Sequence, residues 1–409
     1  MKIFKKYASL SSILLMFFID YIGIGIVYPI FSSMIFNANS TILSPETSQA
    51  TRGLILGIII ALMPAAKFFS GPILGSLSDR IGRKRLILTS ISFGALGYII
   101  ALAGVWSASL SLLALSRIMV GIAAGNEAVG SAAIADVSTP GNKAKHFGLT
   151  YMVAGFGFAF GPFLGGKLST MNFGIFTGYA VPFLFAALLS LINILLAIFL
   201  FKETRKITQT TQAKISFGIA HLGKAWSMAE FYLLFLSIFF YFFGWSFYWE
   251  FIQVNWIKCY KLDASMIGNF YSWGALFYAI SAGLLVQPIV SRFKPERTLL
   301  YALIACASSL AFPLLFAPLW AYWIYIPIQQ SFGSLIFPVT GTIISNKCSG
   351  DTQGEIMGIF NSVQSLALIL SPCAGVLLGL SIKIPLIVGT VTLLLAALIL
   401  SRSQHVHPD

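Results

Sequence analysis

A chain of 409 residues that is 57% hydrophobic, 14% aromatic and only 10% charged carries too little charge to clothe a water-soluble surface, for which about a quarter of the residues is usual. With a mean hydropathy of +0.87 and a net charge of +13 from 26 basic and 13 acidic residues, it reads as an integral membrane protein whose basic excess belongs to the loops of one membrane face. A soluble enzyme, a nucleic-acid binder and a disulfide scaffold are excluded. Cys259, Cys306, Cys348 and Cys373 are scattered without metal-ligand spacing, and read as inert packing or loop residues.

Lys2 to Lys6 and the apolar residues after them start like a signal peptide. The apolar run continues past Asp20 to Pro29 without a small-residue cleavage site, so it is the first span. Further apolar stretches fall at 53–77, 87–106, 109–133, 145–168, 178–201, 230–252, 264–290, 298–317, 319–345, 355–380 and 384–401. Runs of this length are helices crossing a bilayer and exclude the short strands of an outer-membrane barrel. The fold class is therefore an all-α membrane protein with twelve transmembrane helices in two pseudo-symmetric six-helix bundles. The basic residues orient it: nineteen lie in segments sharing a side with the N-terminus, and five (Arg52, Lys167, Lys258, Lys261 and Lys383) on the other. Both termini are accordingly expected in the cytoplasm.

The longest polar connection, 202–229, separates a bundle at 1–201 from a second at 230–409. Matching features recur at a fixed offset, Gly148 with Gly358, Pro162 with Pro372 and Gly165 with Gly375, and Arg80 has a counterpart in Arg292. A duplicated transporter accounts for this pattern.

The loop after the second span reads Gly75-Ser-Leu-Ser-Asp79-Arg80-Ile-Gly82-Arg83-Lys84-Arg85. Gly75 permits close approach of a neighbouring helix, and Asp79 beside the basic cluster suits a charge interaction between helices that forms in one conformation and breaks in another. The string resembles the signature loop of the major facilitator superfamily. Asp20 to Pro29 is similar to the first helix of its bacterial drug-exporting members, including the tetracycline exporters. Arg117-Ile-Met-Val-Gly121-Ile-Ala-Ala-Gly125 resembles the family's Arg-containing motif, with Val120 in place of its usual glutamine. Gly157-Phe-Ala-Phe-Gly161-Pro162-Phe-Leu-Gly165-Gly166 is similar to the motif that marks antiporters, and Gln353-Gly354-Glu355 is also familiar. The second-half copy of the loop, Gln287 to Arg292, lacks both glycine and aspartate, which puts a symmetric second latch in doubt. The resemblance implies a multi-pass protein of the bacterial inner membrane.

Glycines 157, 161 and 165 lie four apart and form one smooth stripe, with Pro162 allowing a bend beside it. A tight, bendable contact between the halves is expected there. Charges within spans cost at least about 2.5–3.5 kcal/mol each and are kept for a reason. Asp20 sits near the midplane, and Lys67 lies twelve residues before Asp79, roughly 18 Å deep. Asp20, Arg117 and Glu127 are the candidate proton-coupling residues. Arg117 or Lys67 is the candidate cation beside Asp20, while Lys67 has Glu127 or an anionic or zwitterionic substrate as its other possible partners. Asp136 reads as loop or latch structure, and Glu230 and Glu250 as interfacial. In the aromatic seventh span Trp249 and Trp256 suit the outer interface, and Trp245 is a candidate for the substrate cavity. Asn269, Gln329 and Gln330 offer midspan amides to cargo or to neighbouring helices. His146, His221, His405 and His407 form no metal or catalytic constellation, so no cofactor is expected.

These residues point to proton-coupled, cation-independent export of a small organic molecule by a monomeric carrier. The alternatives are a proton symporter, or an exporter of an anionic metabolite or carboxylate siderophore, with Lys67 and Arg117 gripping the anion. A non-transporting membrane sensor would show no flux at all.

Overall fold

The computed structural model describes residues 2–37, 42–139, 143–204, 231–315, 318–347 and 350–406, with Gly223 and Met228. Most of the expected linker, together with Glu230, His221, His407 and Cys348, lies outside the described residues, as do the side chains of Gln353 and Glu355. Span one is Lys2–Ile26 followed, after a break at Val27, by Tyr28–Phe36, whose first turn holds Pro29. Proline suits that position because its missing N–H would have no helical partner there. Span two is Gln49–Ile81, started by the Ser48 side chain accepting from the Thr51 N–H, and span three is Arg83–Trp106. Span four is interrupted at Gly125 into Leu110–Ala124 and Asn126–Asp136. Spans five and six are Lys143–Leu168 and Ala180–Phe199. The turn between them is a small antiparallel hairpin, Asn172–Phe173 with Phe176–Thr177.

The second half repeats the plan with Tyr232–Tyr260, Ala264–Leu284 bent by 45° into Val286–Arg292, Pro295–Leu315, Tyr322–Lys347, Gly350–Cys373 and Ile384–Val406. Among the described residues ten helices are long and apolar enough to cross a membrane, and an eleventh is counted with the bent pair. The remaining helix, Tyr322–Lys347, has 26 residues and so the length to span. It is less apolar because it carries Gln329, Gln330 and several hydroxyl residues. The spans alternate in direction, so both ends of the chain lie at one face, called here the near face.

Spans seven to twelve share one apolar core running from Phe231 to Leu400. The seventh span is buried deeply within it. Trp249 is 6% and Trp256 0% exposed, which corrects their expected place at the membrane interface. Trp256 instead packs against Phe270 and Tyr322, because spans eight and ten wrap the far half of this helix.

The two bundles meet through spans two and eleven and through spans five and eight. Glycine makes the contact possible toward the far face. Gly53 lies against the Gly375 carbonyl, Gly57 against that of Pro372, and Gly268 against that of Pro162, so an added Cβ would overlap backbone at each. In lipid no hydrophobic force draws helices together, and such backbone-close contacts supply the attraction by packing. Toward the near face, by contrast, Gly71, Gly148, Gly283 and Gly341 have nothing within 4 Å of where a Cβ would stand. The far face is shut.

A bulky side chain in the sealed contact is therefore expected to hold the far face apart. In Gly57→Leu, spin labels on exposed far-face positions Glu46 and Lys261 should move to longer distances, whereas Gly283→Ala should leave them unchanged. An unshifted distance in Gly57→Leu would contradict this packing account.

Candidate functional site

A cavity of about 250 Å³ opens among the first six spans, lined by Asp20, Lys67, Tyr98, Asn126 and Glu127 and by apolar residues that include Phe17, Ile24 and Phe158. Its position follows from Gly125. The break at Gly125 turns the start of Asn126–Asp136 inward, and Gly125 allows span two to approach, since an added Cβ would overlap Ser70.

Asp20 is held by amides. Asn126 Nδ2 donates to one carboxylate oxygen at 2.9 Å and Asn193 Nδ2 to the other at 2.8 Å. Asn193, fully buried in span six, also donates to the Met16 carbonyl at 3.1 Å. Among the described residues Asp20 has no ion-pair partner. The expected neighbouring cation is thus corrected: both candidates are engaged elsewhere. Lys67 Nζ meets Glu127 Oε2 at 2.5 Å, with side chains 44% and 40% exposed. Arg117 is buried, stacks its guanidinium 5.2 Å from the centre of the Phe31 ring and donates to the Met63 sulfur at 3.0 Å. Its Nε has no hydrogen-bond partner, and Arg117 does not line the cavity.

Arg117 lies instead within electrostatic range of Tyr28 and Glu250. Glu250 is only 7% exposed, which corrects its expected place at the membrane interface. Tyr28 Oη donates to Glu250 Oε1 at 2.7 Å, tying span one to span seven across the bundles. The Tyr28 ring also packs against Tyr271, whose hydroxyl donates to the Trp249 carbonyl. Sequence spacing could not find this contact, because its partners are 222 residues apart.

The loop residues form a compact charge cluster. Gly82 has φ +99°, a left-handed conformation that favours glycine. Arg83 is buried and pairs with Asp79 at 2.8 Å and with Asp136 at 3.1 Å, and also donates to Ser78. Glu203 accepts from the Arg83 and Lys84 N–H groups at 2.9 and 3.0 Å. These contacts lie within the first bundle and the start of the 202–229 connection. Arg80 projects from the same helix end, and Gly75 makes only ordinary contact with Ala128, so this state does not itself require a glycine there.

The glycine stripe of span five faces span one: Gly157 meets Tyr21, Gly161 meets Gly25, and Gly165 meets the Ile26 carbonyl. The expected contact between halves is corrected accordingly. Span five reaches span eight through other residues: Gly155 at Ala279, Pro162 at Gly268 and Gly166 at Ala264–Ser265. Gly166 follows Gly165 by one residue, hence by about 100° of helix rotation, and so faces the other bundle.

None of the expected substrate residues of the second bundle lines the cavity. Gln329 is fully buried and donates to the Ser309 carbonyl at 3.1 Å, joining spans nine and ten. Trp245 stacks on Tyr241 at 5.8 Å beneath Gly333. Gln330 lies against Gly274, and Asn269 Oδ1 is buried without a partner.

A two-bundle helical membrane protein with polar groups gathered in a cavity among its spans is built as a secondary transporter. The family model described as Major Facilitator Superfamily matches residues 13–254 and 234–408, and the chain belongs to that superfamily. It is 26% identical over 361 residues to the class C tetracycline resistance protein of Escherichia coli, covering 87% of this chain and 85% of that one. It is also 26% identical over 392 residues to multidrug resistance protein 1 of Bacillus subtilis (strain 168), covering 95% and 94%. A bacterial homologue of the human lysosomal transporter Spinster, solved inward-facing and unoccupied, shares the fold with a TM-score of 0.74 at 16% identity, over 98% of this chain and 97% of that one.

Removing the inter-bundle donor tests the far-face seal. Tyr28→Phe should cost about 1 kcal/mol, the usual worth of one hydrogen bond, or about a fivefold shift toward the opened far face. Distance distributions between labels at positions 46 and 261 measure it, and an unchanged population would show that Glu250 does not depend on Tyr28.

Proposed function

We propose that this chain is a proton-coupled exporter of a small organic molecule, working by alternating access as a monomer in the bacterial inner membrane with both termini in the cytoplasm. The observation that carries the reading is Asp20: a carboxylate in the cavity wall, deep in the membrane, held by two neutral amides with no ion-pair partner among the described residues. A permanently charged group would need a cation there, and a proton serves instead. Cargo enters from the near face as Asp20 gives up its proton, and a proton from the far side displaces it after the bundles rock. Each inward charge is worth about 2.3 kcal/mol per 100 mV of membrane potential. The bundles at 1–201 and 230–409, with 202–229 as their connection, are the moving bodies; the core shared by spans seven to twelve supports this division, while a second core crosses the boundary at Phe247, Phe251 and Leu378.

In the same reading the Asp79–Arg83–Asp136 cluster, which here joins only spans two, three and four, becomes the near-face latch by re-pairing with the second bundle when that face closes, and Arg117 with Glu250 serves the far gate. Similarity to drug-efflux relatives supports export. The anion-gripping alternative gains nothing, because Lys67 is paired and Arg117 lies outside the cavity.

With tetracycline as probe, inside-out vesicles carrying the wild type should accumulate it uphill and lose it on adding a protonophore. Asp20→Asn should accumulate none. Full uphill accumulation by Asp20→Asn would remove Asp20 from the coupling.

A further inference from the structure

The Lys67–Glu127 pair is out of place for a structural ion pair. A pair that only fastened span two to span four would be sealed between them, yet both side chains are about two-fifths open and both line the cavity. An ion pair that water reaches contributes little to holding helices together and opens easily. Asp20, the other carboxylate of the wall, is already satisfied by Asn126 and Asn193. Lys67 and Glu127 are thus one cation and one anion, side by side, answered chiefly by each other.

We infer that this pair is the recognition site for a compact zwitterion: a ligand bearing an ammonium and a carboxylate a few ångströms apart on an aromatic or apolar body. The inference rests on the cavity being the cargo site. A purely cationic ligand that engaged Glu127 would strand the Lys67 ammonium beside it, and a purely anionic one that engaged Lys67 would strand Glu127. Stranding a charge away from bulk water is the costly outcome. A zwitterion instead exchanges one internal pair for two charge-assisted contacts. The remaining wall suits the body of such a ligand, because Phe17, Tyr21, Ile24, Met63 and Phe158 line it.

Three probes of one body isolate charge: L-phenylalanine (zwitterion), L-phenylalaninamide (cation) and N-acetyl-L-phenylalanine (anion). Binding to the purified full chain is measured by calorimetry and thermal shift, with no gradient. The wild type should bind the zwitterion best. Lys67→Gln should weaken it about tenfold, as expected for one charge-assisted contact, and turn preference to the cation. Glu127→Gln should turn it to the anion. The double exchange Lys67→Glu with Glu127→Lys should restore zwitterion preference, which a merely unfolded site could not do. Asp20→Asn should keep this selectivity even where uphill transport is lost, so the two readings fail separately. Equal or better binding of the cation or the anion by the wild type, no binding of any probe at millimolar concentration, or single variants that keep the wild-type preference would overturn the inference.

Discussion

A charge carried into the interior of a membrane must be answered by something fixed there, and this molecule is organised around how each of its buried charges is answered. Asp20 is met by two amides, Lys67 and Glu127 by each other, and Arg117 by an aromatic ring, a thioether and the field of Glu250 across the bundle boundary. The answers differ in permanence. Amide donors serve an ionised or a protonated carboxyl, an open ion pair yields to a competitor, and an inter-bundle hydrogen bond lasts only while the far face is shut. The three arrangements are thus suited to holding a proton, holding a ligand and holding a gate.

Backbone contact makes those arrangements possible. Gly53, Gly57 and Gly268 let the bundles close to carbonyl distance at the far face, which brings Tyr28 to Glu250. The stripe of Gly157, Gly161 and Gly165 fixes span five on span one, so the helix that carries Asp20 is braced against the helix that meets the second bundle at Pro162 and Gly166. Movement at the boundary is thereby linked to the cavity through a rigid pair of helices. The near-face cluster around Arg83 is independent of that contact, being tied to Asp136 of its own bundle and to Glu203 at the start of the connection.

The spans were legible in the sequence because a bilayer demands long apolar runs, and chain direction followed from alternation. Asp20, Lys67 and Glu127 were also legible as intramembrane charges, and the cavity gathers all three. Which charge meets which was not legible: helix rotation and tilt decide it, and these depend on neighbours hundreds of residues away. Asn193 was findable by the same rule, as an amide in an otherwise apolar span, yet an uncharged residue draws less notice than a charged one. Glu250 stands at the end of the apolar run 230–252 and so suggests an interface, but the helix continues to Tyr260 and spans one and eight enclose it there in place of lipid headgroups. Trp249 and Trp256 were misread for the same reason, since composition cannot tell a helix that faces lipid from one wrapped by its own bundle.

The proposed transport cycle turns on Asp20 changing its protonation while the far face is shut. Difference infrared spectroscopy between mildly alkaline and mildly acidic buffer, on protein carrying isotope-labelled aspartate, observes that event directly. A protonated-carboxyl band that shifts with the label, disappears in Asp20→Asn and persists in Lys67→Gln is the expected result. A spectrum whose aspartate bands are the same in the wild type and in Asp20→Asn would contradict it.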